Sequence, residues 1–540
     1  RYRRSRQLLC SGAKIMQELP LNGFYAGESK KLTDRRCINW MPTPNDSGSL
    51  APMSLIPTVG RDKGGKVDTI YNDGAAIINI NPANKVTSQI FSWAVLNRTS
   101  PMYFKDQAWT SIGSTTVEGR LQPFDAGTKM PDGERIRVAT SATQLSVVGY
   151  GRGGEQAGVQ NGFIQYAENN VQFTYDIPYF DLSSQITDTA FFGGRFLFSN
   201  SSEQRPRTYY SDIGVVAPSS LDFFTPDNLA GAIKGIEVDN DILYVFGDAQ
   251  TFIYQVSAST DIPFRQTGEL NVGLYQPESK VVTSQGVYFI GKDGGNSYHI
   301  YRMSGASVQK ISNRHVDNFL NKNNLYNIKP DGPFGSDLYP DYCPILKITD
   351  NNESIICFNT PAICLCYNEE NGIWHERKTE GRDNWEVIGY GMSDVGPVFI
   401  SDTWDLVDTK VYDMNLTEPV IESGRENGLL VERTMISAPF NDKNQRMMID
   451  EIQPQCEVDY SVPVTDWAEA KINLSMSHDF GNTFEEERAL NIGRAGNYTQ
   501  ETRFMSMGYV RQAFTLKLRS LNPYPTRVIA LLSRLTKGGA

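Results

Sequence analysis

The sequence predicts an all-β protein: a β-propeller of six or seven blades with a C-terminal β-sandwich domain and an extended N-terminal segment. Three observations carry this reading. Short apolar runs separated by 46 glycines and 27 prolines favour many turns and brief strands over long helices. Between Lys66 and Asn415 a coarse unit recurs, mostly at a spacing of roughly 45 residues, in which an aromatic-rich strand ends in Gly or Ser. Near the end of the chain Ile472, Leu474 and Met476, and again Phe514, Leu516 and Leu518, alternate with polar residues, the period of strands with one buried face.

A chain of 540 residues exceeds what one core supports, and we divide it into residues 1–15, a basic leader or flexible arm; 16–65, the extended segment; 66–425, the propeller; and 426–540, the sandwich. The leader carries Arg1, Arg3, Arg4 and Arg6 and lacks the apolar region and cleavage site of a secretory signal. Met16 is a candidate natural start, and the leader reads as an arm rather than a DNA-binding element. From Gln17 the prolines of Leu19-Pro20-Leu21, Asn39-Trp40-Met41-Pro42 and Leu55-Ile56-Pro57 disfavour a helix and predict extended chain crossing a surface.

The repeated strand of the central region appears as Gly194–Ser199, Ile242–Gly247, Val287–Gly291 and Pro397–Ser401, more weakly as Ser354–Asn359, with earlier candidates at Ala75–Ile80 and Leu145–Gly149. A four-stranded sheet cannot bury both faces alone, and blades packed around an axis cover them and leave few open edges. Two stacked β-sandwiches are the alternative, with less regular spacing. Asn313–Asn323 is the best helix candidate, with Val316, Phe319 and Leu320 on one face, and a long loop follows to Pro344.

Ser477, Asp479, Gly481, Thr483 and Phe484 fit S-x-D-x-G-x-T-[F/W], the Asp box. An Asp carboxylate there accepts backbone N–H groups of a tight turn and Gly takes a positive φ, so the motif reads as a structural hairpin and not a catalytic site. Sialidases carry such boxes away from their chemistry.

The net charge is −11, from 62 acidic and 51 basic residues, whereas a protein that grips a nucleic-acid backbone is usually basic. This is the charge of an ordinary soluble acidic protein, and the functional alternative is a surface that would let DNA pass without sticking. Seven scattered cysteines argue for reduced thiols in a protein assembled in a cytoplasm. A zinc site from Cys357, Cys364, Cys366 and His375 is conceivable, yet Ile363–Tyr367 alternates like a buried strand and has no C-x-x-C pair. We expect no metal and no cofactor. The four histidines, His299, His315, His375 and His478, fall in no metal-ligand spacing, and neither a nucleophile elbow nor a phosphate loop is present. No run of about 18 apolar residues marks a membrane span. We therefore expect no enzyme.

After the Asp box come Gly493-Arg494-Ala495-Gly496-Asn497-Tyr498, then Arg503 through Gly508 to Arg511, then Phe514, Leu516 and Arg519 on a closing strand. This order resembles the C-terminal module of the packaged-DNA stabilisation proteins of short-tailed phages, the tail hub or nozzle proteins. The opening resembles the same family: a leucine-proline start, an aromatic-x-Pro entry, a glycine loop, and an x-x-P-G-x segment in which Thr58 stands where the family has Gly. The resemblance implies a virion protein assembled in the host cytoplasm, forming a ring, usually of six copies, below the portal and adaptor. That ring continues the DNA channel, retains packaged DNA and passes it during ejection. The implied partners are the adaptor or head-tail connector, tail fibres or tailspikes, a needle or plug, and double-stranded DNA in passage. The loop before Pro344 is then expected to meet a neighbouring subunit or tail component. The rival reading is a carbohydrate-binding or sialidase-like propeller, for which Trp374, Trp385, Trp404 and Trp467 are candidate sugar contacts.

Overall fold

A computed structural model describes residues 14–21, 35–46, 49, 51–60, 62–63, 70–71, 76–78, 93–96, 101–105, 108–111, 135–141, 144–150, 161–167, 170–174, 186–200, 206–215, 218–259, 262–295, 297–322, 343–360, 363–393, 396–401, 408–413, 425–426, 429–441, 446–459, 469–493 and 501–537. They form almost entirely strands, with one helix among them, Arg314–Lys322. The chain divides into two compact units, one made of residues 1–60, 366–380 and 417–540, the other of 61–365 and 381–416.

The second unit is a β-propeller. Ile186–Phe192, Arg195–Asn200, Thr208–Ser211 and Pro218–Phe224 make an antiparallel sheet in which spatial order equals chain order, and Gly235–Leu270 repeats the plan. Ala76–Ile78, Arg135–Thr140, Ile186–Phe192, Gly235–Asp239, Lys280–Thr283, Ile345–Asp350 and Val387–Ser393 lie at the inner side of successive sheets. Each neighbours the next, and the last returns to the first, which closes a circuit.

Burial explains why the sequence advertises the second strand of each sheet. In Ile242–Phe246 the side chains of Leu243 and Val245 join a cluster with Phe192, Leu197 and Phe264, while Tyr244 and Phe246 join another with Leu274, Phe289 and Met303. Both faces are covered by neighbouring sheets, so the strand is apolar throughout instead of alternating. Each such side chain contributes about 1.5–3 kcal/mol by burial. The helix starts where Asn313 Oδ1 accepts the backbone N–H groups of His315 and Val316, both at 3.0 Å. It buries Val316 and Leu320.

The first unit is a β-sandwich. One sheet runs Trp40–Pro44, Met53–Pro57, Thr526–Lys537, Met447–Val458, Phe504–Val510, with Lys14–Leu19 also paired to Thr526–Lys537. The facing one includes Trp374–Arg377, Arg36–Ile38, Arg433–Ile436, Thr515–Ser520, Ala470–Ser477 and Arg488–Gly493. Trp40, Leu55, Ile449, Phe504 and Val528 from the first meet Cys37, Met435, Leu474, Phe514, Leu516 and Leu518 from the second. The proline-punctuated N-terminal segment thus supplies strands to both sheets, and Trp40 is fully buried with its Nε1 donating to Thr526 O at 3.0 Å. Asn39, at φ 56°, makes the bend between two of these strands, and its amide nitrogen donates to Lys378 O and Glu432 O at 2.9 and 2.8 Å.

Candidate functional site

The C-terminal hairpin gathers its polar groups around Asp479. Its Oδ1 accepts from the backbone N–H of Thr483 at 2.8 Å, from that of Asn482 at 3.0 Å and from Ser477 Oγ at 2.7 Å, while Thr483 Oγ1 donates to Oδ2 at 2.7 Å. The Thr483 hydroxyl and N–H, then the Ser477 hydroxyl, hold the carboxyl well below the usual carboxylate range. Gly481 sits at φ 83° and donates to Ser477 Oγ at 2.8 Å, and Phe480 beside it is also left-handed at φ 64°. Glu485 N donates to Met476 O at 2.9 Å, closing the hairpin just after the half-buried Phe484. The carboxylate braces a turn and has its lone pairs committed to that task.

The residues further along fall at different places. Gly493, at φ 141°, ends its strand buried, and Gly496 and Tyr498 lie outside the described residues. Arg503 contacts Glu501 and places Nε 3.4 Å from Glu451, whose other oxygen lies 3.4 Å from Arg534. Gly508 takes φ 102° in an edge strand, with no atom where a Cβ would stand, so the backbone alone requires it. Arg511 is exposed. Phe514 stacks near Phe440, ring centroids 5.2 Å apart, and Leu516 is fully buried. Arg519 grips Glu487 through Nε at 2.9 Å and Nη2 at 2.5 Å and reaches Glu432 at 3.3 Å. These arginines tie strands of the sandwich together; their acidic partners Glu451, Glu487 and Glu432 carried no signal in the sequence.

The propeller holds a buried ion cluster that sequence reasoning missed. Lys280 Nζ lies 2.7 Å from Asp188 Oδ2 and 3.3 Å from Glu237, and donates to Pro277 O at 2.9 Å. Asp188 also accepts from Ile236 N at 2.9 Å and Thr189 N at 3.0 Å. Nearby Asp239 is pushed up by burial and by the charge of Glu237.

Of the histidines, His299 Nδ1 lies 2.9 Å from Asp317, which also accepts from Lys310 and Ser312, and His478 lies 3.1 Å from Glu485. His375 is fully buried with no hydrogen-bond partner on either ring nitrogen, and burial pushes its pKa down to about 3. The thiols of Cys357, Cys364 and Cys366, on one β-hairpin, are buried within 4.8 Å of one another. Trp374 and Trp385 are buried, and Trp404 and Trp467 lie outside the described residues.

Two family models match the chain. One, described as "Bacteriophage P22 Gp10, beta-propeller", covers residues 106–329, and the other, "Bacteriophage P22 Gp10, beta-sandwich", covers residues 432–534. The chain belongs to the bacteriophage P22 Gp10 family. This is the podovirus family of tail nozzle or DNA-stabilisation proteins, and membership makes the chain a structural protein of a phage tail. The two matched regions are the two folds described above, each within its own unit. No curated protein matches the chain. Among solved structures, two of an exo-β-1,3-galactanase from Phanerochaete chrysosporium are similar, one with β-1,3-galactotriose and one with galactose. Each is 8% identical and covers 75% of this chain and 96% of that one, at TM-scores of 0.29 and 0.28. Against the P22 Gp10 family match, a likeness this weak carries no argument about chemistry. No helix among the described residues is long and apolar enough to cross a membrane.

Proposed function

We propose that the chain is the nozzle or hub of a short-tailed phage tail: a ring, of six copies, that continues the DNA channel below the portal and adaptor. It retains the packaged genome, passes it at ejection, and does so mechanically, without catalysis. Its propeller has seven blades. The ring meets the adaptor above, tail fibres or tailspikes at its flank, and a needle or plug below, and it is assembled in the host cytoplasm.

The observation that supports this reading is where the charge sits. The propeller unit carries 38 acidic residues against 26 basic ones, while the sandwich unit carries 24 against 25. The acidic excess of the chain thus belongs to one unit. A cationic conduit would hold DNA through phosphate contacts that release counterions, whereas an anionic one repels the backbone and lowers sliding friction. Asp188 and Glu237 neutralise the one buried lysine at the inner strands Ile186–Phe192, Gly235–Asp239 and Lys280–Thr283, so it offers no phosphate a partner.

The glycan reading needs exposed aromatic rings in a cleft, and the two described candidates, Trp374 and Trp385, are buried. An image of the chain assembled with its adaptor tests the proposal. A ring with a continuous axial channel is the expected result; a persistent monomer that hydrolyses a polysaccharide overturns it.

A further inference from the structure

The propeller circuit is closed by strands that its last sheet does not itself supply. Val387–Ser393, Gly396–Ser401 and Asp408–Asp413 follow one another in that sheet, and its outer edge is occupied by Asp62–Lys63 and Ile70–Tyr71 from the start of the unit. The joining ladder comes in two pieces. Asp413 pairs with Asp62 and Tyr412 with Lys63; Thr409 pairs with Ile70 and Asp408 with Tyr71.

Other outer strands are held differently. Phe264–Leu270 is joined to Thr251–Val256 by a short connection and pairs with it from Thr251↔Leu270 to Val256↔Phe264. If that ladder opens, its halves stay close and re-form at little entropic cost. The partners at the seam are separated by most of the propeller's chain, so no local turn tethers them once they part.

We infer that this seam is a built-in opening of the propeller: Asp62–Lys63 and Ile70–Tyr71 detach from Asp408–Asp413 while the remaining sheets stay folded. Proteins open in contiguous units whose free energies range from near zero to that of global unfolding, and short strands without a connecting turn belong to the low end. The inference concerns the propeller alone and stands whether or not the chain assembles into a ring.

Hydrogen exchange read by mass spectrometry on the full chain tests it. Amides of 62–63, 70–71 and 408–413 are expected to exchange at least about tenfold faster than those of 251–256 and 264–270. Equal protection of the two sets overturns the inference. A second arm replaces the Cα partners Lys63→Cys and Tyr412→Cys and oxidises the purified chain with diamide. The cross-link is expected to slow exchange along 408–413, and dithiothreitol to restore it. Fast exchange that persists in the cross-linked chain overturns the inference, and so does failure of the two cysteines to join.

Discussion

Lys280 and Asp188 form an ion pair 2.7 Å long with neither side chain exposed, joining strands of two different propeller sheets, while Ile236 of the sheet between them donates to the same Asp188 oxygen. Removing one partner leaves an uncompensated buried charge. Lys280→Met is expected to destabilise the propeller by about 3–5 kcal/mol, and Lys280→Met with Asp188→Asn to recover part of that loss. Urea unfolding followed by tryptophan fluorescence measures both; an unchanged midpoint in the single variant contradicts the assignment.

Gly481 has room for a side chain, since the nearest atoms to a Cβ are Thr515 Cγ2 at 3.7 Å and Phe484 Cζ at 3.8 Å, but its φ is 83°. The cost of Gly481→Val is therefore conformational, about 1–3 kcal/mol, and Gly481→Asn costs less because Asn tolerates the left-handed region. Thermal unfolding should rank the three chains Gly, Asn, Val. A valine variant as stable as the parent removes the strain argument.

His375 makes the sandwich acid-sensitive. Burial depresses its folded pKa to about 3, below the ordinary value near 6.5, so the unfolded chain binds the proton more readily. No protonation penalty applies above about pH 6.5, and stability falls by up to about 1.4 kcal/mol per pH unit between there and the folded pKa. His375→Phe is expected to flatten this slope in denaturant titrations at pH 6.5 and 4.5. An identical slope in both chains would assign the acid sensitivity to other groups.

Asp479 works in the same direction by the opposite chemistry. Its folded pKa is depressed, so its bracing of the turn is complete above the ordinary carboxylate pKa and is lost as pH falls below that toward the folded value. Amide resonances of Asn482 and Thr483 report the loss directly. In Asp479→Asn they should show no such titration, and a titration that survives the substitution points to another acid.

Acidic residues of the propeller that face the channel of the assembled particle offer the functional test. Their combined replacement by lysine is expected to slow genome ejection from assembled particles and to make the rate salt-dependent, because each new cation can bind a phosphate. Ejection kinetics indistinguishable from the parent's would count against low-friction passage.

How much of this was legible in the sequence follows from which surfaces are buried. Second strands such as Arg195–Asn200 and Ile242–Phe246 are covered on both faces and so stand out as apolar runs. Inner strands are harder to see, because Asp188, Glu237 and Lys280 interrupt them and satisfy one another only after three sheets have come together. Prolines at 42 and 57 point to extended chain crossing a surface, and they occupy strands of a sandwich sheet in which Trp40 is buried. The spacing S-x-D-x-G-x-T-F points to the groups that brace the hairpin. Nothing in a phenylalanine announces the left-handed backbone of Phe480, which the hydrogen bonds around Asp479 impose. The closing partners of Asp408–Asp413 could not be read at all, since pairing across most of a domain leaves no local pattern.

The strand Thr526–Lys537 has a consequence for synthesis on the ribosome. Lys14–Leu19 takes its ladder from that strand, and Trp40 takes its hydrogen-bond acceptor from Thr526, whereas the propeller has all its described strands once Asp413 has emerged. Trp40 must therefore wait for an acceptor 486 residues further along the chain, while Lys14–Leu19 holds a bare strand edge in the meantime. A product released early would carry a finished wheel beside an unfinished clasp, and that sticky remnant would mark it for proteases before it could enter a particle.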